Sequence, residues 1–126
     1  MTSHSKNRLR EGIDLFNRER FFDCHEVLEA AWLEASGEQR TFLQGLIQIA
    51  VAFYHLRREN FVGAGRLLTA GMEKLSAFAP ERDAVDLAAL LAALEPLREA
   101  LAAGTIRPDY AAPRIMVKIQ PVPSSE

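Results

Sequence analysis

Apolar side chains return every three or four residues over most of this chain, the spacing that collects them on one side of an α-helix. Leu9, Gly12, Ile13 and Phe16 mark a first helix ending near Asn17, with Arg10, Glu11 and Asp14 on its polar face. A second runs from about Phe21 to Ala35, burying Cys24, Val27, Leu28 and Ala31, and Ser36-Gly37 stops it. The third, from about Glu38 to Glu59, gathers Leu43, Leu46, Ile47, Ala50, Phe53 and Tyr54 on one face. As the longest and most apolar helix it is expected at the centre. A fourth opens at Asn60, a residue type that caps helix N-termini, and carries Phe61, Ala64, Leu68, Met72 and Leu75 to about Phe78 before Pro80 ends it. A leucine stripe at Leu87, Leu90, Leu91, Leu94, Leu97 and Leu101 predicts a fifth from about Asp83 to Ala103, closed by Gly104. Pro96, on its opposite face, is expected to kink or split that helix. Gly45, Gly63, Gly65 and Gly71 each cost about 1 kcal/mol relative to alanine inside a helix, so they are expected to mark close helix crossings.

From Ile106 the pattern changes. Prolines at 108, 113, 121 and 123 forbid a long helix, and Ile115-Met116-Val117-Lys118-Ile119 is the β-prone run of the chain. The expected organisation is therefore one helical domain over residues 1–105 and an extended tail over 106–126. The tail could lie against its own bundle or against a second copy in a homodimer, with the residues from Pro121 mobile. A faint internal repeat accompanies the helices. At an offset of 40, Phe21 aligns with Phe61, Cys24 with Ala64, Val27 with Leu67, Leu28 with Leu68 and Trp32 with Met72. That spacing is similar to the second helix of tetratricopeptide-like pairs, in which a small residue lets neighbouring helices approach. The fold expected is all-α: a single-domain antiparallel bundle of about five helices, built as two such pairs and a capping helix.

Composition narrows the partners. The 126 residues, 48% hydrophobic and 25% charged, suffice for one core. A formal net charge of −2 offers no strong field for nucleic acid or an anionic membrane surface. No apolar run approaches the ~18 residues of a membrane span, and Met1 to Arg10 has no apolar stretch of the kind that follows in a secretory signal. The single cysteine, Cys24, excludes an internal disulfide and fits a reducing compartment, so a cytoplasmic protein is expected.

At about 100° per residue, Gln44, Gln48 and His55 form a narrow polar stripe beside the apolar face of the third helix, with Val51 between them and Arg58 near its end. On the second helix His25, Glu26 and Glu29 share a flank, and His25 and Glu29 are one turn apart. If these helices pack antiparallel, the stripes face one another across a cleft. One reading makes it the site of a ligand- or protein-binding module using His25, Glu26, Glu29, Trp32, Arg40, Gln44, Gln48 and His55, with Arg40 or Arg58 holding an anionic group. No cofactor is needed for that reading. The alternative is a small hydrolase-like enzyme on the same residues. It would bind a divalent metal through His25, Glu29 and His55, or use an imidazole oriented by Glu29 as acid and base. The chain has His-Glu-x-x-Glu and not the His-Glu-x-x-His of zinc helices, and no hydroxyl nucleophile has a motif beside it. Plainer roles compete throughout: Glu26 and Glu29 as a solvated face, the histidines and glutamines as packing hydrogen bonds, and Trp32 as a wall.

The runs Leu15-Phe16-Asn17, Phe21-Phe22-Asp23-Cys24-His25-Glu26-Val27-Leu28-Glu29 with Trp32, Arg40-Thr41-Phe42-Leu43-Gln44-Gly45-Leu46-Ile47-Gln48 with His55, and Asn60-Phe61-Val62-Gly63-Ala64 resemble the family catalogued as domain of unknown function 309 (DUF309) over roughly residues 9 to 75. The resemblance implies a small all-α bundle and brings no established activity. Its motif positions fall here on Asn17, His25, Glu26, Glu29, Trp32, Arg40, Gln44, Gln48, His55 and Asn60. The glycine often found before the aromatic of the second helix is Glu19 or Arg20 here, and that before the asparagine is Glu59.

Overall fold

The computed structural model of the chain describes residues 3–118. Five helices make the body: α1 (Ser3–Asn17), α2 (Phe21–Glu34), α3 (Gly37–Arg57), α4 (Phe61–Ser76) and α5 (Leu87–Ala103). Each packs antiparallel on the next, and the α3–α4 contact is the most extensive. α3 is the centre because nine of its residues, from Phe42 to Leu56, are buried. Phe16, Phe21 and Phe53 join α1, α2 and α3 in one aromatic cluster with ring centroids 5.2 to 5.6 Å apart.

The α1–α2 and α3–α4 turns share one backbone geometry. At the α1–α2 turn, Arg20 N–H donates to the Leu15 carbonyl and Glu19 N–H to that of Phe16. At the α3–α4 turn, Asn60 N–H donates to His55 and Glu59 N–H to Leu56, the same bonds 40 residues on. Glu19 and Glu59 both take left-handed backbone, at φ 59° and 61°. A residue with a Cβ pays about 1 to 2 kcal/mol in that conformation.

Two glycines behave as expected of close crossings. A Cβ on Gly71 would sit 2.9 Å from the Gly45 carbonyl oxygen of α3, and one on Gly45 would meet Leu75 at 2.9 Å. Gly63 lies instead against the Asn60 side chain, at 2.6 Å. Gly65 marks no crossing: its nearest neighbour would be Leu101 Cβ at 3.9 Å.

The fifth helix begins later than its leucine stripe suggested. Residues 81–86 form a hairpin of β1 (Glu81–Arg82) and β2 (Val85–Asp86), and Asp86 caps α5 by accepting from Ala89 N–H at 2.9 Å. The turn residues Asp83 and Ala84 have φ of 50° and 66°, the geometry of a tight two-residue hairpin. Asp-Ala is not its usual sequence signal, so Asp83 reads locally as a helix start. Pro96 does not split α5, which is continuous from Leu87 to Ala103. Pro96 is exposed on the outer face of the helix. Gly104 ends α5 in left-handed backbone at φ 71°.

The tail lies on its own bundle. Val117 bridges Val85, Asp86 N–H donates to the Met116 carbonyl, and Lys118 N–H donates to that of Ala84, so the β-prone run extends the hairpin. Ile115 is buried. Arg57 donates to the carbonyls of Pro108 (2.9 Å) and Tyr110 (2.8 Å) and pairs with Glu19. Ile119 and the stretch from Pro121 expected to be mobile lie outside the described residues.

Candidate functional site

α3 is flanked by α2 on one side and α4 on the other, which leaves one stripe of its surface half-buried: Gln44, Gln48, Val51 and His55. This is the predicted polar stripe. On α2, Phe22, His25, Glu29 and Trp32 recur at helical spacing along one flank.

Between α2 and α3 lies a half-open cavity of about 150 Å³ lined by Phe21, Phe22, His25, Val51, Tyr54 and His55. Its rings form a chain: His25 to Phe22 at 5.7 Å, Phe22 to Tyr54 at 5.8 Å, and Tyr54 to His55 at 5.9 Å. His25 Nε2 lies 2.8 Å from Glu29 Oε2, the one-turn pair expected from their spacing. His55 Nδ1 is 3.1 Å from Asn60 Nδ2. An adjoining depression of about 290 Å³ is lined by Arg20, Phe22, Tyr54, Arg57 and Arg58 among others. Arg57 pairs with Glu19 and Arg20 with Asp23, whereas Arg58 has no acidic partner among the described residues and lies over the Tyr54 ring at 5.4 Å.

The other predicted residues lie outside that cavity. The Arg40 guanidinium stacks 3.8 Å from the centroid of Trp32, so both are held by a cation–π contact. Gln48 sits beside Gly71, where a Cβ on the glycine would meet its own at 3.2 Å. Trp32 Nε1 and Gln48 Oε1 are buried without a hydrogen-bond partner among the described residues, an unusual condition for interior polar atoms. Gln44 is half-buried one turn earlier, and Glu26 is exposed. Larger depressions occur at the α2–α3 turn (about 310 Å³) and beside the hairpin (about 490 Å³), but neither contains a residue of the stripe.

The three-ligand metal set is not assembled. Among the described residues no group of three or more His, Cys, Asp and Glu is arranged to hold a metal ion. His25 and His55 share the cavity, but Glu29 is engaged with His25, and His55 turns Nδ1 to an amide on its own helix end. Cys24 is buried on the opposite side of α2, and burial pushes its thiol up to about 12, which removes it as a nucleophile.

The family model described as Domain of unknown function (DUF309) matches residues 9–67, which run from within α1 to the middle of α4. Over those residues the chain is similar to this family. A similar protein is the "Uncharacterized protein YpuF" of Bacillus subtilis (strain 168), 45% identical over 58 residues. That alignment covers 45% of this chain and 33% of the relative, so the chain matches about a third of its length. The hairpin, α5 and the tail lie beyond the matched DUF309 residues.

Phe22, Tyr54 and Asn60 complete the site without having been among its predicted residues. Phe22 carries the one legible signal: a large aromatic off the core face of α2, left 51% exposed. Tyr54 reads as core from its spacing, and Asn60 as a cap, which it also is. No helix among the described residues is long and apolar enough to cross a membrane.

Proposed function

We propose that this domain is a protein-binding module that takes one apolar side chain of a partner peptide in the cavity between α2 and α3. The observation carrying this reading is the cavity itself. At about 150 Å³ it matches a single ring-sized apolar group and falls below the roughly 300 Å³ at which small-molecule sites begin. Its walls are Phe21, Phe22, Val51, Tyr54 and the rings of His25 and His55, and the exposed Phe22 ring extends the apolar surface outward. An apolar anchor in such a pocket, rimmed by polar groups, is how peptide recognition concentrates its energy.

The test is selection of a displayed random-peptide library on the intact chain, repeated with Val51→Trp, which fills the cavity from its floor. Enriched peptides should share an apolar residue and bind the variant at least about tenfold more weakly, the cost of about 1.4 kcal/mol. Peptides that bind both proteins equally would remove the cavity from the reading. The melting temperature of the variant separates a blocked cavity from a lost fold.

One observation favours a second reading. The His25–Glu29 pair at 2.8 Å is an imidazole oriented by a carboxylate, as an acid/base catalyst requires. A hydrolytic activity abolished by both His25→Ala and Glu29→Gln in folded protein would support it.

A further inference from the structure

The lining of the cavity is almost wholly apolar, so polar recognition falls to its rim, where Asn60 sets which nitrogen of His55 can donate. Asn60 Oδ1 accepts from the backbone N–H of Gly63 at 3.1 Å, capping α4. A backbone N–H can only donate, so the atom facing it is the amide oxygen and the other end of the amide is the NH₂. That NH₂ lies 3.1 Å from His55 Nδ1. It can only donate, so Nδ1 carries no hydrogen and the neutral ring bears its hydrogen on Nε2. Nε2 has no protein partner among the described residues, and the ring lines the cavity. One turn on, Arg58 adds a cation with no acidic partner among the described residues, at the adjoining depression. The α2 side is different: there the cavity-lining His25 is already paired with the Glu29 carboxylate.

We infer that Asn60 is a positioning residue that fixes His55 as a hydrogen-bond donor, so that with Arg58 the α3 edge of the cavity receives a carboxylate next to the buried apolar side chain. The C-terminal residue of a partner chain brings both groups on one residue, and that is the occupant assigned. This rests on the peptide-binding reading, and its test separates the two.

Two measurements on the intact chain decide it. Long-range ¹H–¹⁵N spectra at about pH 8, above the ordinary imidazole range, should show His55 with its hydrogen on Nε2. In Asn60→Asp the introduced carboxylate keeps the cap but faces Nδ1 with an acceptor, so hydrogen should appear on Nδ1. A hydrogen on Nδ1 in the wild type, or a pattern that Asn60→Asp leaves unchanged, overturns the role of Asn60. The second measurement titrates acetyl-Ala-Ala-Phe with a free carboxylate against the same peptide with an amidated end. The acid should bind about tenfold more tightly, the worth of one charge-assisted hydrogen bond. His55→Phe, which keeps a ring, should lose that preference. Equal binding of acid and amide overturns the carboxylate assignment and leaves the peptide-binding reading standing. Failure of both peptides to shift Val51 or His55 resonances counts against this occupant, and the library selection then decides the peptide-binding reading.

Discussion

The side chain of Asn17 binds Ile115 as a β-strand partner would: its Nδ2 donates to the Ile115 carbonyl at 3.0 Å, and its Oδ1 accepts the Ile115 N–H at 2.7 Å. One amide thus fastens the tail to the end of α1, across 98 residues of sequence. Asn17→Ala should cost between about 1 and 3 kcal/mol, because it orphans both peptide groups of a buried residue. Urea unfolding measures the loss, and hydrogen exchange should show the amides of residues 115–118 opening before the helices. Uniform exchange across the chain would mean that the tail is held by other contacts.

The left-handed residues at the two equivalent turns make a paired prediction. Glu59→Gly relieves a Cβ penalty of about 1 to 2 kcal/mol, part of which the freer unfolded chain takes back, so a gain of up to about 1 kcal/mol is expected. Glu19→Gly relieves the same strain but removes the partner of Arg57. Its melting temperature should therefore rise less than that of Glu59→Gly, or fall. Equal gains would show that the Glu19–Arg57 pair contributes nothing.

Helical glycines in α4 should respond oppositely to alanine. Gly71→Ala presses a methyl into the Gly45 carbonyl oxygen and Ile49, and should cost about 1 to 3 kcal/mol. Gly65→Ala meets nothing closer than 3.9 Å and should gain about 0.5 to 1 kcal/mol from the lost backbone freedom. Thermal melts of the two single variants check both signs.

Cys24 predicts a pH dependence. Burial raises its thiol from 9.0 to about 12, against a smaller lowering by a backbone hydrogen bond from Phe16. The folded state therefore holds the proton more tightly than the unfolded chain. The stability linked to it is complete below pH 9.0 and is lost as pH rises toward about 12. Cys24→Ala should lower stability at neutral pH through the lost packing, yet decline less steeply than the wild type across that alkaline window. Iodoacetamide should label the wild-type thiol only as fast as the chain opens.

The amino-acid sequence by itself determined the five helices and the polar stripe from Gln44 to His55, because the helical period is a local property and apolar spacing reports it directly. The His25–Glu29 pair was legible for the same reason, since one turn separates them on a single helix. Only the tertiary structure decided what the stripe became. Gly71 lets α4 close on α3 beside Gln48, while α2 stands off at Val51 and leaves a cavity, and no spacing within one helix encodes the gap between two. The hairpin at Asp83 and Ala84 was likewise settled at a distance. Its left-handed turn, unusual for these residues, is held by the tail through the Ala84 carbonyl and by Gln39 through the Asp83 carboxylate, partners more than thirty residues away in the chain.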